Sequence, residues 1–320
     1  MINMKIDISG VEFKNPIILS SGPLTTSKAG LLGAERNGFG GVVTKSATQT
    51  AAEGNPLPHH AFGKGYLVHS EGLPNKGYKA VAKDIKEVKD AGIGIPIIGS
   101  AAGASPEEFA EISVEFEKQG ADAVELNLGC PHWGTMVGRP MEEHLGRYWS
   151  ETPERSFMVV RAVKEAVKIP VWVKVPSERF YSNAEIILAM EKAGVNALVP
   201  SVVLPGGMAI DLETGKPILG NSTGTGSVSG RAMKPLGIKC LSEMAKVVRT
   251  PIIATGGVFS GLDVIEYAMV GAHAVEVLTA IMQKQSVHDM IRDIESFMSE
   301  KGYNSLHDFR GKALQFIGQG

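Results

Sequence analysis

The segment SPEEFAEISVEFEKQGADAVELNLG (105–129) sets a helix directly before a strand, and that order decides the fold. Ser105 suits an N-cap, Pro106 the first helical position, and Glu108 can reach back to complete a capping box. Phe109, Ile112 and Phe116 recur on one helical face, and Gly120 suits the stop. Val124, Leu126 and Leu128 then alternate along a strand that brings Asn127 to its end and runs into GCPHWG (129–134).

The same pattern recurs through the chain. Short apolar, largely β-branched runs occur at 15–22, 40–46, 95–103, 122–129, 170–176, 196–203, 251–258 and 274–280. Such near-continuous Val/Ile/Leu runs suit parallel strands buried on both faces. Between them lie helix-like stretches with readable starts, such as Thr152-Pro153 before SFMVVRAV and Ser182 with Glu185 before IILAM, the latter ending at Gly194. Eight alternations predict an α/β fold, a (β/α)8 TIM barrel occupying residues 1–320 as a single domain; an open doubly wound sheet is the alternative. KIDISGVEFK (5–14) reads as a short N-terminal β-hairpin turning at Ser9-Gly10, with Ile6, Ile8, Val11 and Phe13 on its apolar side, placed to plug the lower end of the barrel. A last amphipathic helix carries Val287, Met290, Ile291, Ile294 and Phe297, and the tail FIGQG is expected to fray.

Composition narrows the function. Lys+Arg number 32 against Asp+Glu 34, a net charge of −2, so no basic surface for nucleic acid or anionic membrane is expected. No apolar run reaches the ~18 residues of a membrane span, and the N-terminus lacks a signal core. Two cysteines, Cys130 and Cys240, make no disulfide framework, and a cytoplasmic location is expected.

In a barrel of this kind function gathers where the strands end. Those ends bring Ser20, Ser21 and Gly22, Lys45 and Ser46, Ser100, Asn127 and Cys130, Lys174, Ser201, Gly256 and Gly257, and Thr279 to one mouth. Two lysines on buried strand ends need something anionic or strongly polar to meet them. The glycines of NSTGTGSVSG (221–230) and ATGGV (254–258) let backbone N–H groups approach a ligand, each ahead of a helix whose N-terminus favours an anion. A phosphate-bearing cofactor is one reading of these loops; ordinary glycine-rich barrel loops are the other.

The residues NPIILSSG (15–22), VVTKSATQTAAEGNPLPH (42–59), EGLPNKGY (71–78), ELNLGCPHWG (125–134), VWVKVP (171–176), GMAIDLETGKPILGNSTGTGSVSGRAMKP (207–235) and IIATGGV (252–258) resemble the class 1 dihydroorotate dehydrogenases. ELNLGCPH and ATGGV are also similar to the pyrimidine-reducing domain of dihydropyrimidine dehydrogenase. The resemblance implies a barrel that binds FMN and oxidises or reduces a ring CH–CH or C=C bond. It implies cofactor contacts for Ser21, Gly22, Lys45, Ser46, Asn127, Lys174, Ser201, Gly226, Gly256, Gly257 and Thr279. It makes Cys130 the proton donor or acceptor, with Lys45 beside it as a catalytic residue, and sets His69, Glu71, Asn127 and His132 against a small cyclic substrate. A thiol, whose ordinary pKa is ~8.5, can move a proton near neutrality if its surroundings tune it. The resemblance also implies a homodimer. Two cysteines cannot ligate an iron–sulfur cluster, so electrons must come from or go to a soluble acceptor, a nicotinamide or a separate electron-transfer subunit.

The chain departs from that pattern at the substrate. His69, His132 and Pro200 stand where dihydroorotate dehydrogenases carry asparagines, leaving Asn127 of that set. Glu71 and the CPH order agree with the dihydropyrimidine dehydrogenase branch. Leu278 replaces a glycine often found before Thr279. Other readings stay open: Cys130 as a packed apolar residue, a metal held by Cys130 with His59, His60, His69 and His132, Trp133 and Trp149 as a lid or as core, and a non-redox lyase barrel. No metal is expected, because the spacing matches no zinc signature. Cys240 reads as packing.

Overall fold

The computed structural model describes residues 2–130, 145–182 and 184–318. Eight strands form the central sheet: β1 (Ile17–Leu19), β2 (Gly41–Val43), β3 (Ile97–Ala101), β4 (Ala123–Asn127), β5 (Val171–Pro176), β6 (Ala197–Ser201), β7 (Ile253–Ala254) and β8 (Ala274–Val277). Each falls inside one of the eight apolar runs. All neighbours pair in parallel, β6-β5-β4-β3-β2-β1-β8-β7. A parallel bridge between Leu198 and Ile252 joins β6 to β7 and closes the barrel, which removes the open-sheet alternative. The strand interiors are buried on both faces, as their unbroken apolar runs require.

Helices pack outside. The one over Pro106–Lys118 starts as read: the Ser105 hydroxyl accepts from the Glu108 N–H, and Phe109, Ile112 and Phe116 are fully buried. The Glu108 carboxylate reaches one residue further back than a capping box requires, to the Ala104 N–H at 2.9 Å. Thr152 caps the helix over Pro153–Ala166 by the same device.

The hairpin forms between Ile6–Ile8 and Val11–Phe13, with Ile6, Ile8, Val11 and Phe13 all buried. It closes the N-terminal end of the barrel. Phe13 lies against Gly41 at the start of β2 and 6.0 Å from the Trp172 ring near the start of β5. The Ser9 hydroxyl donates to the Asn196 carbonyl just before β6.

Two expectations change. The end of the chain is docked rather than frayed: a short 3-10 turn over Lys312–Phe316 follows the Gly311 N–H bond to Ala268, Ile317 packs on the core, and its carbonyl accepts from Lys246. Residues 319 and 320 lie outside the described part. The second change is a four-stranded antiparallel sheet at the mouth, ordered Leu204–Met208, Thr225–Ser229, Tyr66–His69, His60–Gly63. NSTGTGSVSG, read as a glycine loop, supplies one of its strands. We call this sheet the canopy. Trp149 is buried in the main core, which removes its reading as a lid; Trp133 lies outside the described residues.

Candidate active site

The strand ends and the canopy enclose a cavity of about 240 Å³. Ser21, Gly22, Lys45, Ser46, His69, Glu71, Asn127, Cys130, Lys174, Ser201, Gly256, Gly257 and Thr279 all line it. Gly226 does not: it sits in a canopy strand, where a Cβ would lie 2.4 Å from the His69 carbonyl oxygen, so its missing side chain serves close pairing with Tyr66–His69. His132 lies outside the described residues.

Hydroxyls tie neighbouring strand ends together. Ser46 Oγ is 2.8 Å from Ser100 Oγ and 3.2 Å from Ser21 Oγ, and accepts from Asn127 Nδ2 at 3.0 Å. The Asn127 Oδ1 in turn accepts from the Gly129 N–H. The Asn127 amide is thereby aimed along the mouth before any ligand arrives, and Gly129 turns the chain so that Cys130 follows onto the same wall. Cys130 is half-buried against the apolar group of Leu73, Ala102 and Leu145. Neither cysteine is in a disulfide. Cys240 is packed as expected, fully buried inside the helix Lys234–Val247.

The two lysines have found carboxylates. Lys45, almost fully buried, donates to Glu71 Oε2 at 2.5 Å, while His60 Nε2 donates to Glu71 Oε1 at 3.2 Å. Burial pushes the Glu71 carboxyl up, but the His60 hydrogen bond and the Lys45 charge outweigh it and hold the group well below the usual carboxylate range. Lys174 donates to Glu276 Oε2 at 2.5 Å, to Ser20 Oγ at 3.1 Å and to Glu125 Oε1 at 3.3 Å. Burial pulls this ammonium down, yet the charges of Glu125 and Glu276 more than compensate and raise it.

Sequence reading raised His60 only as a metal ligand, and missed Glu125 and Glu276 as part of this site. The last two carried a signal: each is a lone charge within an apolar strand, in AVELN and AVEV. A charge on a strand buried on both faces must meet a partner inside the barrel. The Leu278 substitution also has a structural counterpart. A Cβ on Gly22 would lie 2.4 Å from Leu278 Cδ2, so the leucine fills the space that the glycine leaves.

At the other end of the cavity stand the Ser229 and Thr279 hydroxyls, 3.4 Å apart, and the backbones of Gly230, Gly256 and Gly257. Gly256 and Gly257 both have positive φ, 92° and 71°, a conformation that side-chain-bearing residues rarely adopt. The helix Thr279–Met282 and the 3-10 turn Arg231–Met233, continuing into Lys234–Val247, both start here. Among the described residues, no helix is long and apolar enough to cross a membrane, and no cluster of three or more metal-ligating side chains occurs.

Comparison with known proteins gives one answer. The family model described as dihydroorotate dehydrogenase matches residues 3–298. The chain is 35% identical over 312 residues to a Methanothermobacter thermautotrophicus protein named dihydroorotate dehydrogenase B (NAD(+)), catalytic subunit, covering 97% of this chain and 98% of that one. Proteins of the same name are 36% identical in Methanocaldococcus jannaschii, over 97% of this chain and 98% of the relative, and 33% identical in Pyrococcus abyssi, over 98% and 99%. The chain belongs to the dihydroorotate dehydrogenase family and is an oxidoreductase acting on a CH–CH donor.

Proposed function

We propose that the protein is an FMN-dependent enzyme, one barrel domain over residues 1–320, that exchanges a hydride with a ring CH–CH bond of a dihydroorotate-like or dihydropyrimidine-like substrate. The observation that carries this reading is the convergence on one cavity of a thiol, an amide, two lysines and an anion-compatible end. The residues fit the cofactor. Ser229, Gly230, Gly256, Gly257 and Thr279 offer hydroxyl and backbone donors to a phosphate beside two helix starts. Ser21, Gly22, Ser46, Asn127, Lys174 and Ser201 would hold the ring system. When bound, FMN supplies the hydride acceptor or donor, and the protein supplies orientation and the proton.

In this reading Cys130 gives or takes the proton at the ring carbon next to the one that exchanges hydride, and Asn127, already oriented by Ser46 and Gly129, fixes the ring. His69, Glu71 and His132 form the substrate side. Lys45 holds Glu71 and faces the reacting edge. With two cysteines in the chain, electrons reach a separate electron-transfer subunit or a soluble carrier. The relatives are named as catalytic subunits, and exposed Leu57, Phe62, Leu204, Met208, Ile210 and Leu212 on and around the canopy are the kind of surface that a protein partner covers. A homodimer in the cytoplasm completes the proposal.

One observation favours a second substrate. Lys45 already carries the Glu71 carboxylate, so a carboxylate-bearing ring must compete for it, whereas an uncharged pyrimidine need not. The test is an anaerobic screen of orotate, dihydroorotate, uracil and thymine against the purified yellow protein, following flavin absorbance. Cys130→Ser is expected to slow substrate-dependent bleaching about 10²–10⁴-fold at neutral pH with FMN retained. A colourless protein that ignores added FMN refutes the cofactor; unchanged rates in the variant move the proton elsewhere.

A further inference from the structure

The floor of the mouth holds one ammonium and two carboxyl groups, all from barrel strands. Lys174 is on β5, Glu125 on the adjacent β4, and Glu276 across the barrel on β8. Both carboxyl side chains are 0% exposed. Their oxygens divide into two kinds. Glu125 Oε1 and Glu276 Oε2 accept from Lys174, and Glu276 Oε2 accepts also from the Ser20 hydroxyl at 2.7 Å. Glu125 Oε2 and Glu276 Oε1 are buried and accept from no donor among the described residues. One orphaned oxygen therefore belongs to each carboxyl, and both carboxyls converge on the single Lys174 ammonium, at 3.3 Å and 2.5 Å.

We propose that Glu125 and Glu276 share one proton between these two oxygens, and that the resulting neutral trio is the device that positions Lys174. One proton repairs every defect. It satisfies both orphaned atoms, and it leaves one positive and one negative charge in place of an uncompensated buried anion. The directions of titration agree. Burial, then the neighbouring Glu276 charge, push Glu125 well above the ordinary carboxylate range. Burial acts the same way on Glu276 but is outweighed by Lys174, leaving it below that range. The other carboxyl and Lys174 are the charged groups that act on each of the two.

The consequence concerns Lys174, and here the inference rests on the flavin reading above. All three ammonium hydrogens are engaged, by Glu276, Ser20 and Glu125. A protonated Glu125 is a partner that the lysine can release at little cost, since its carbonyl oxygen carries no full charge. The longest of the three bonds then becomes available to an occupant of the mouth, while Glu276 keeps the ammonium charged and in place. Glu125 and Glu276 act through Lys174 and are positioning residues.

The test begins on the apoprotein, so it does not depend on flavin. Infrared spectroscopy at neutral pH should show the C=O stretch of a buried protonated carboxyl. Glu125→Gln and Glu276→Gln should each abolish it, because the single carboxyl left beside Lys174 ionises. Each single variant should also lose one proton from the uptake that accompanies folding, read from the pH dependence of the denaturation midpoint. In FMN-loaded protein both single variants keep the charge of the floor and should keep the flavin midpoint potential. The double variant leaves Lys174 unpaired and should shift it to more positive values. A wild-type apoprotein without the acid band overturns the proposal, as does a band that survives in both single variants. Failure to take up FMN would instead sink the flavin reading and leave the band untouched.

Discussion

Lys45 and Lys174 look alike in the sequence, each a lone cation at the end of a buried strand, and the structure gives them opposite surroundings. Lys174 is gripped from within the barrel by Glu125 and Glu276, both fixed in strands whose ladder bonds leave them nowhere to go. Lys45 is met from above by Glu71, which follows a canopy strand in a loop and is 17% exposed, with His60 on its far side. Removing a partner from a fully buried charge leaves the other stranded, while a partner near the rim can turn to water. The first lysine is therefore part of the scaffold. The second holds an ion pair that a ligand can open.

The largest effect should come from breaking the inner cluster. Lys174→Met leaves two buried carboxyls with no cation, and a loss of about 3–5 kcal/mol in urea unfolding is expected. Lys45→Met should lose clearly less, since Glu71 can reorient toward solvent. Equal losses in the two variants would erase the distinction between floor and rim.

Next in size is the exchange at Lys45. Glu71→Gln releases its ammonium, so a carboxylate-bearing ring should bind about tenfold tighter, ~1.4 kcal/mol, and an uncharged ring should gain nothing. Titration of flavin absorbance with orotate and with uracil measures both. Equal gains for the two ligands would show that Glu71 does not select by charge.

The two clusters should also respond to pH with opposite signs. Glu71 titrates below its unfolded value, so its contribution is present above the ordinary carboxylate pKa and is lost progressively as pH falls below it toward the group's own lower value. Glu125 titrates above its unfolded value, so its contribution is present in acid and fades as pH rises beyond the ordinary carboxylate pKa toward its own. The stability gap between wild type and Glu71→Gln should therefore widen from acid to neutral pH, by about 1–2 kcal/mol, while the gap to Glu125→Gln narrows. His273 adds a background term common to all three proteins. Burial, helped by Arg310, lowers it to about 4, so folding stability falls as pH drops from 6.5 toward that value. Differences between variants cancel this term; gaps of the same sign would contradict the assignment.

What the sequence disclosed follows the range of the interactions. The barrel strands were readable because a strand buried on both faces must be apolar throughout, and Ile17–Leu19 or Val171–Pro176 declare that locally. Ser105 and Thr152 announced helices because a cap acts within three residues. The canopy was not readable. Thr225–Ser229 pairs with Tyr66–His69 from more than a hundred residues away, and LPGGM and TGSVS carry no apolar alternation. The docked tail escaped for the same reason, since the Ala268 and Lys246 bonds and the core against which Leu314 and Ile317 pack all lie far away in the chain. In the site, Asn127, Lys45 and Lys174 were found as polar residues at or near strand ends, whereas Glu125 and Glu276 were passed over inside their strands, although Glu125 lies no further from its strand's end than Lys174 does from its own.

The smallest prediction asks how rigid the floor is beside Lys174. Gly22 follows Ser20 and Ser21 off β1, and Leu278 occupies the space next to its α-carbon. Its φ of 166° is extended backbone, which alanine adopts without strain, so a cost for Gly22→Ala must come from the leucine. With a 2.4 Å approach to Leu278 Cδ2, alanine should cost about 1–2 kcal/mol if the leucine cannot move. In a Leu278→Ala background that cost should vanish, giving a coupling of similar size in a double-mutant cycle. If Gly22→Ala is harmless in the wild-type background, Leu278 has room to turn aside. The strand ends around Lys174 would then be as adaptable as the rim around Lys45, and the contrast between the two lysines would have to rest on charge alone.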